Sequence, residues 1–209
     1  MNIMNRKDIK RRYREKLQEI SSREYKKNQV VLIGDCLIEN LNIKSSIPEL
    51  TIYNNGISDD TTVTLLDSLY KRAIKYKPSK LFISVGSNDM GFEDTNVKDI
   101  YGNIIKICEE MKRRSKDTEI HIMSVVPVNP ANMENINREY VDARDNFEIN
   151  MLNYYLKNYA RKNRYKFVDI TKYLKNDIDQ LKIEYTFDGF HLNALGYSVV
   201  SNTLKQFVY

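Results

Sequence analysis

A thiol, an imidazole and a carboxylate stand out by position. Cys36 follows Gly34-Asp35 at the end of the apolar run Val30-Val31-Leu32-Ile33, and Asp188 precedes His191 by three places in Asp188-Gly189-Phe190-His191. Acyl transfer needs a nucleophile, a general base, a group that orients the base, and donors aimed at the developing oxyanion. Cys36 is the candidate nucleophile and His191 the candidate base. In a non-helical loop the Asp-x-x-His spacing lets the Asp188 carboxylate fold back onto Nδ1, so that Nε2 faces the thiol. The backbone N–H groups of Cys36 and Gly56 and the side-chain amide of Asn88 are the candidate oxyanion donors, glycine at 56 letting a substrate approach the backbone. Asp35 and Asp89, each adjacent to one of these residues, read as supporting carboxylates that accept backbone N–H groups.

These residues lie far apart along the chain, so a scaffold must gather them. Apolar runs predict strands at Gln29 to Ile33, Leu50 to Tyr53, Lys80 to Val85, Glu119 to Val126 and Tyr165 to Ile170. Helical spacing predicts a first helix from Met4 to about Ser22 through Ile9, Tyr13, Leu17 and Ile20. It predicts others through Leu66, Leu69, Tyr70, Ala73 and Ile74, through Val97 to Met111, and up to Arg161 through Phe147, Leu152, Tyr155, Leu156 and Tyr159. A short helix is expected after the fifth strand, and a closing one capped by Asn193 with Leu195, Val199 and Leu204 on its stripe. Strand and helix alternating five times predict a three-layer α/β/α sandwich around a parallel sheet. Such sheets hold ligands outside the carboxyl ends of their strands, where Gly34-Asp35-Cys36, Gly56 and Gly86-Ser87-Asn88-Asp89 all fall. The Asn-rich stretch from Pro127 to Asn137 leaves the same edge and is expected to shape a substrate pocket. Tyr53, Tyr140 and Phe190 are candidate lining residues, with aromatic core packing the plainer reading.

The 209 residues are read as one domain, residues 1–24 forming a helix packed on its flank. A net charge of +5 with no accompanying recognition motif argues against a nucleic-acid partner. No run approaches the ~18 apolar residues of a membrane span, so no stable membrane association is expected. Cys36 and Cys108 make neither a disulfide framework nor a metal cluster, and the N-terminal residues lack an apolar signal core, which together suggest the cytoplasm. Cys108 lies on an apolar helical stripe and His121 sits mid-strand, so both read as structural. Asp59-Asp60 reads as a helix N-cap rather than a metal pair, and no cofactor is expected.

Val31-Leu32-Ile33-Gly34-Asp35-Cys36, Asn55-Gly56-Ile57-Ser58, Gly86-Ser87-Asn88-Asp89 and Asp188-Gly189-Phe190-His191 with Gly196-Tyr197 together resemble the ordered blocks of the SGNH (GDSL-type) hydrolases. The resemblance covers most of the chain. It implies a flavodoxin-like five-stranded scaffold and esterase or lipase-like acyl hydrolysis of a small-molecule ester without a metal. Cys36, Gly56 and Asn88 then form the oxyanion hole, with His191 and Asp188 behind the nucleophile, as in compact bacterial acylhydrolases. The departure is Cys36, where the family pattern has serine. Three accounts stand: a working thiol whose pKa the helix N-terminus and histidine depress, a serine enzyme carrying an introduced cysteine, and a domain that has lost hydrolysis and binds an acyl or carbohydrate ligand. An acyltransferase uses the same intermediate. Sulfur is larger than oxygen, and a misplacement of that kind costs on the order of 100-fold in rate.

Overall fold

Short runs of Val, Ile, Leu and Phe form the strands: β1 (Val30–Gly34), β2 (Ile52–Gly56), β3 (Lys80–Ser84), β4 (Glu119–Met123) and β5 (Lys166–Val168). A computed structural model describes residues 6–91, 95–131 and 133–209; the start expected at Met4 for the first helix lies outside them. All neighbouring strands pair parallel in the order β2-β1-β3-β4-β5. The helices are α1 (Arg6–Ser22), α2 (Cys36–Glu39), α3 (Ile43–Ser46), α4 (Thr62–Arg72), α5 (Val97–Arg114), α6 (Arg138–Asp142), α7 (Asn146–Lys162) and α8 (Ala194–Val208).

Alternate residues of the strands face opposite layers. Val31, Ile33, Leu81, Ile83, Ile120 and Ile122 pack with α4, α5 and α7, while Val30, Leu32, Phe82, Met123 and Val168 pack with α2, α3 and α8. Burial on both faces is why the strands read as continuous apolar runs rather than alternating ones. The result is the expected three-layer α/β/α, flavodoxin-like sheet. Its direction of winding reverses between β1 and β3, the crevice where such sheets bind ligands. Register aligns Gly34 with both Gly56 and Ser84, so three strand ends lie side by side at that crevice.

Several expectations are corrected. β2 runs on through Asn54 and Asn55 to Gly56 instead of turning after Tyr53. The short helix expected directly after β5 is absent; Asn176 Oδ1 accepts the N–H groups of Ile178 and Gln180, and a Lys175–Leu181 bridge closes the segment as a loop over buried Leu174 and Leu181. Tyr70, Phe147 and Leu195, placed on buried stripes by spacing, are 58%, 74% and 61% exposed. The buried faces instead carry Leu65 and Leu69 on α4, Ile149, Leu152 and Leu156 on α7, and Val200 and Leu204 on α8.

Asp59-Asp60 is not the N-cap of α4. Thr61 is, in a reciprocal capping box with Thr64. Asp60 turns inward and pairs with the Arg72 guanidinium, both side chains fully buried. Arg72 also donates through Nε to the Asn55 carbonyl (3.0 Å) and through Nη2 to the Gly34 carbonyl (2.7 Å). Asn55 returns a bond from Nδ2 to the Arg72 carbonyl (2.7 Å). The ends of β1 and β2 are thereby held by one cation.

α1 joins this face through more than its apolar stripe. Tyr13 donates to the Thr64 carbonyl (3.0 Å) and contacts Ser68 Oγ (3.1 Å), Tyr76 donates to the Ile20 carbonyl (3.1 Å), and Arg23 donates to Asn55 Oδ1 (3.2 Å).

Breaking the buried pair leaves an uncompensated charge, so Asp60→Ala is expected to cost about 3–5 kcal/mol, measured from the midpoint of urea unfolding. Combining it with Arg72→Met should recover part of that loss.

Candidate active site

The turn carrying the candidate nucleophile is built by close backbone approach. Gly34 sits at φ +153°, and a Cβ there would lie 1.9 Å from the Ser84 carbonyl oxygen. The chain then turns at Asp35, whose Oδ1 caps α2 by accepting the Leu37 N–H (3.0 Å). Cys36 is the first residue of α2 and half-buried.

The candidate base arm is fixed from several sides. His191 Nδ1 lies 2.7 Å from Asp188 Oδ2, and Asp188 Oδ1 accepts the N–H groups of Phe190 (3.0 Å) and His191 (2.7 Å). Burial alone would raise the Asp188 pKa, but the bonds from His191 and the two backbone N–H groups together hold it below its ordinary value. The Asp-x-x-His spacing therefore folds as the sequence suggested. Aromatic rings surround the imidazole: Phe190 at 4.6 Å, Tyr140 at 5.0 Å and Phe187 stacked at 5.8 Å.

Cys36 and His191 line one cleft of about 30 Å³, together with Asp35, Ser87, Phe190 and Tyr197. The Asn-rich stretch reaches this arm, since the Asn129 and Asn137 N–H groups donate to the Gly189 and Asp188 carbonyls, each at 2.8 Å. Tyr53 does not reach the cleft; it packs against Tyr76 beyond the sheet edge.

The oxyanion candidates fare differently. Asn88 donates from Nδ2 to the Asp60 carbonyl (3.0 Å), and its Oδ1 accepts from Arg144 Nη2 (3.4 Å). The Gly56 N–H is not free for the role the sequence suggested, because it donates to Asn54 Oδ1 (3.0 Å). Glycine is required at 56 for another reason: a Cβ would lie 2.3 Å from the Glu39 backbone nitrogen of α2. The turn beyond it is braced by Glu39, whose Oε2 accepts the Ser58 N–H (2.6 Å) and pairs with Arg12 of α1 (3.0 Å). Asp59 follows at φ +61°, and among the described residues its N–H has no protein acceptor.

Both oxygens of Asp89 accept the Thr62 N–H (3.0 Å) at the start of α4. Asp35 is pushed up to about 7, first by burial and then by Asp60 and Asp89, against the Leu37 N–H and Arg144. The thiol is corrected outright. Burial, then Asp35 and Asp59, push Cys36 well above its ordinary value, with Arg144 and the Leu37 N–H opposing. A one-turn helix and a histidine do not depress a thiol that also faces two carboxylates.

Sequence reasoning missed Arg144. It donates from Nε to the Ser87 carbonyl (3.0 Å) and from Nη1 to the Tyr140 carbonyl (2.5 Å), and stacks 4.0 Å over Phe190. Nothing in Asp142-Ala143-Arg144-Asp145 separates it from a solvated charge. Cys108 is fully buried in the core, and His121 stacks on Phe82 at 4.4 Å, its Nε2 lying 3.1 Å from Glu119 Oε1. Among the described residues no group of three His, Cys, Asp or Glu side chains is placed to hold a metal ion. No helix among them is long and apolar enough to cross a membrane.

A model of the GDSL-like lipase/acylhydrolase family matches residues 9–199. The chain belongs to this family. A Streptococcus pneumonia structure provisionally assigned as a platelet activating factor is 28% identical, covers 97% of this chain and 95% of its own, and superimposes with a TM-score of 0.87. A GDSL-like lipase from Bacteroides thetaiotaomicron is 23% identical over 94% of this chain and 96% of its own, with a TM-score of 0.78. The N-acylneuraminate cytidylyltransferase of Escherichia coli O18:K1:H7 is 28% identical over 202 residues, which are 96% of this chain and 44% of that protein. The chain thus spans less than half the length of that relative. Membership in the acylhydrolase family supports an esterase-like hydrolase.

Two measurements follow from the electrostatics. Iodoacetamide should alkylate Cys36 more slowly at pH 7 than it does free cysteine, the rate rising only above about pH 9, where an ordinary thiol of pKa ~8.5 is already ionised. Asp35 carries its proton further up in the folded protein than in the unfolded chain, so its contribution to stability is full below about pH 4 and is lost as pH rises towards 7. Asp35→Asn keeps the cap acceptor and should remove that decline in urea midpoints taken from pH 4 to 8.

Proposed function

We propose that this chain is an acyl ester hydrolase working through a covalent acyl-enzyme on Cys36. The observation that supports it most is the shared cleft of Cys36 and an imidazole already oriented by Asp188. In this reading Cys36 stands in the place of the family's serine. With the thiol pushed up, His191 Nε2 takes the thiol proton as sulfur attacks the ester carbonyl, without a preformed thiolate. The carbonyl π electrons move to oxygen. Collapse of the tetrahedral intermediate expels the alcohol, which takes the proton from His191 and leaves a thioester. His191 then deprotonates water, whose attack releases the acid and returns the proton to sulfur.

The oxyanion donors we assign are the Cys36 N–H, Asn88 Nδ2 and the Asp59 N–H, with Asp59 replacing Gly56. The Asp59 N–H is unengaged in the turn after β2, and the Asp59 charge is felt at Cys36. The reading takes residues 1–209 as one domain. Two free cysteines, Cys36 and Cys108, favour a cytoplasmic location. The cytidylyl transfer in the name of the E. coli relative is not carried over, since a thiol, an imidazole and a carboxylate form a set suited to acyl transfer.

Hydrolysis of p-nitrophenyl acetate tests the reading. The protein as it stands should turn over slowly, Cys36→Ser should be faster by up to about 100-fold, and His191→Ala should lose about 100-fold or more. Mass spectrometry of His191→Ala after ester exposure should find the acyl mass on Cys36. No activity for Cys36→Ser on any acyl length would instead make the domain a binding module.

A further inference from the structure

Arg144 belongs to none of the sequence blocks, yet it touches both arms of the candidate site. It arrives from the loop between α6 and α7, and three of its donors reach the Ser87 carbonyl (3.0 Å), the Tyr140 carbonyl (2.5 Å) and Asn88 Oδ1 (3.4 Å). The guanidinium carbon lies 4.0 Å from the centre of the Phe190 ring, and Phe190 in turn meets His191 at 4.6 Å. A planar fork that both donates and stacks is a task for arginine and not for lysine.

The contact with Asn88 has a chemical consequence. An amide has one acceptor end and one donor end, and its rotation by 180° exchanges them. In the observed orientation Oδ1 meets the guanidinium and one Nδ2 hydrogen meets the Asp60 carbonyl (3.0 Å). The reverse orientation sets NH₂ against a cation and oxygen against a carbonyl. Only one orientation is therefore favourable, and it leaves the second Nδ2 hydrogen for a substrate oxygen. A charged donor on Oδ1 also polarises the amide and strengthens Nδ2 as a donor.

We infer that Arg144 is a positioning residue of this site: it locks the Asn88 amide as an oxyanion donor and holds one positive charge where negative charge develops on sulfur and substrate oxygen. The inference rests on the acyl-hydrolase reading only for its kinetic arm. Cys36 faces Asp35 on its own turn, Asp59 from the turn after β2, His191 and Phe190 from the loop before α8, Tyr197 of α8, and Arg144. Arg144 is the cation in that set.

Two readouts test it with Arg144→Gln and Arg144→Lys in the full chain. The first is the pH profile of Cys36 alkylation by iodoacetamide, which needs no hydrolysis. Loss of the cation should move the profile to higher pH and slow alkylation several-fold at pH 8 in Arg144→Gln, with Arg144→Lys in between. The second is a double-mutant cycle on p-nitrophenyl acetate in the Cys36→Ser background. Arg144→Gln should lower kcat by about 100-fold, the order seen when an oxyanion donor is lost, with KM little changed. Asn88→Ala should lower it similarly, and the pair together by far less than the product of the two losses. An unshifted alkylation profile, or losses that multiply in the double variant, overturns the inference. If the parent and Cys36→Ser leave every ester untouched, the hydrolase reading falls and the alkylation profile alone decides the role of Arg144.

Discussion

One buried guanidinium sets the geometry from which the site is built. Arg72 is 0% exposed, and taking such a charge out of water costs several kcal/mol unless every donor finds a partner. Its partners are the Asp60 carboxylate and the carbonyls of Gly34 and Asn55, which belong to the ends of β1 and β2 and the turn that follows. A hydrophobic residue of the same volume would fill the space but leave Asp60 without its cation and the Gly34 carbonyl with only the Ile57 N–H (2.9 Å). The pair thus fixes where two strands stop. From there the polar contacts run outward, the Asp60 carbonyl receiving Asn88, and Asn88 receiving Arg144. Each group in the line has its donor or acceptor end chosen by the one behind it.

The same concentration of buried charge explains why the thiol is not an ionised one. Asp35, Asp60 and Asp89 are all buried near the crevice, and each is pushed upward by its own desolvation first. Arg72 is taken up by Asp60, and Arg144 stands further out. Asp35 therefore has no cation of its own, and it adds to the burial that raises Cys36. A site with this charge distribution favours removal of a nucleophile's proton during attack, by a neighbouring base, over storage of an anion. That is the requirement of a hydroxyl nucleophile as much as of a thiol.

The scaffold was legible because buried parallel strands announce themselves as apolar runs, and their ends as Gly-Asp or Gly-Ser. The Asp188–His191 pairing was legible because it is local, three residues in one loop. Asp35 and Asn193 cap their helices as read, and what failed was the direction in which Asp60 turns. In Asp59-Asp60-Thr61 any of the three could cap α4, and only the presence of Arg72, a full helix later, draws Asp60 inward. Gly56 looked like a place for substrate, but its neighbour across the fold is the backbone of α2, a contact with no sequence signature. Phe147 and Leu195 matched a helical stripe and missed the core because both lie in the first turn of their helices, where spacing does not say how far the layer beneath extends. Arg144 was invisible for the opposite reason: its surroundings in sequence are polar, and its burial comes from Phe190 and Ser87 in distant segments.

The two arms also differ in how strongly they are held, and this bears on which of them tolerates change. His191 is fixed by a carboxylate, by its own backbone N–H on Asp188, and by three aromatic rings, so its position survives the loss of any one contact. Asn129 and Asn137, ahead of α6, add two backbone bonds to that arm. Among the described residues the Asn88 amide is oriented by the Asp60 carbonyl and by Arg144, and Arg144 arrives on the loop just after α6. A shift of that segment would leave the His191 imidazole in place while releasing the Asn88 amide. The loop therefore couples the two halves unequally, and substitutions along it should be felt at Asn88 before they are felt at His191.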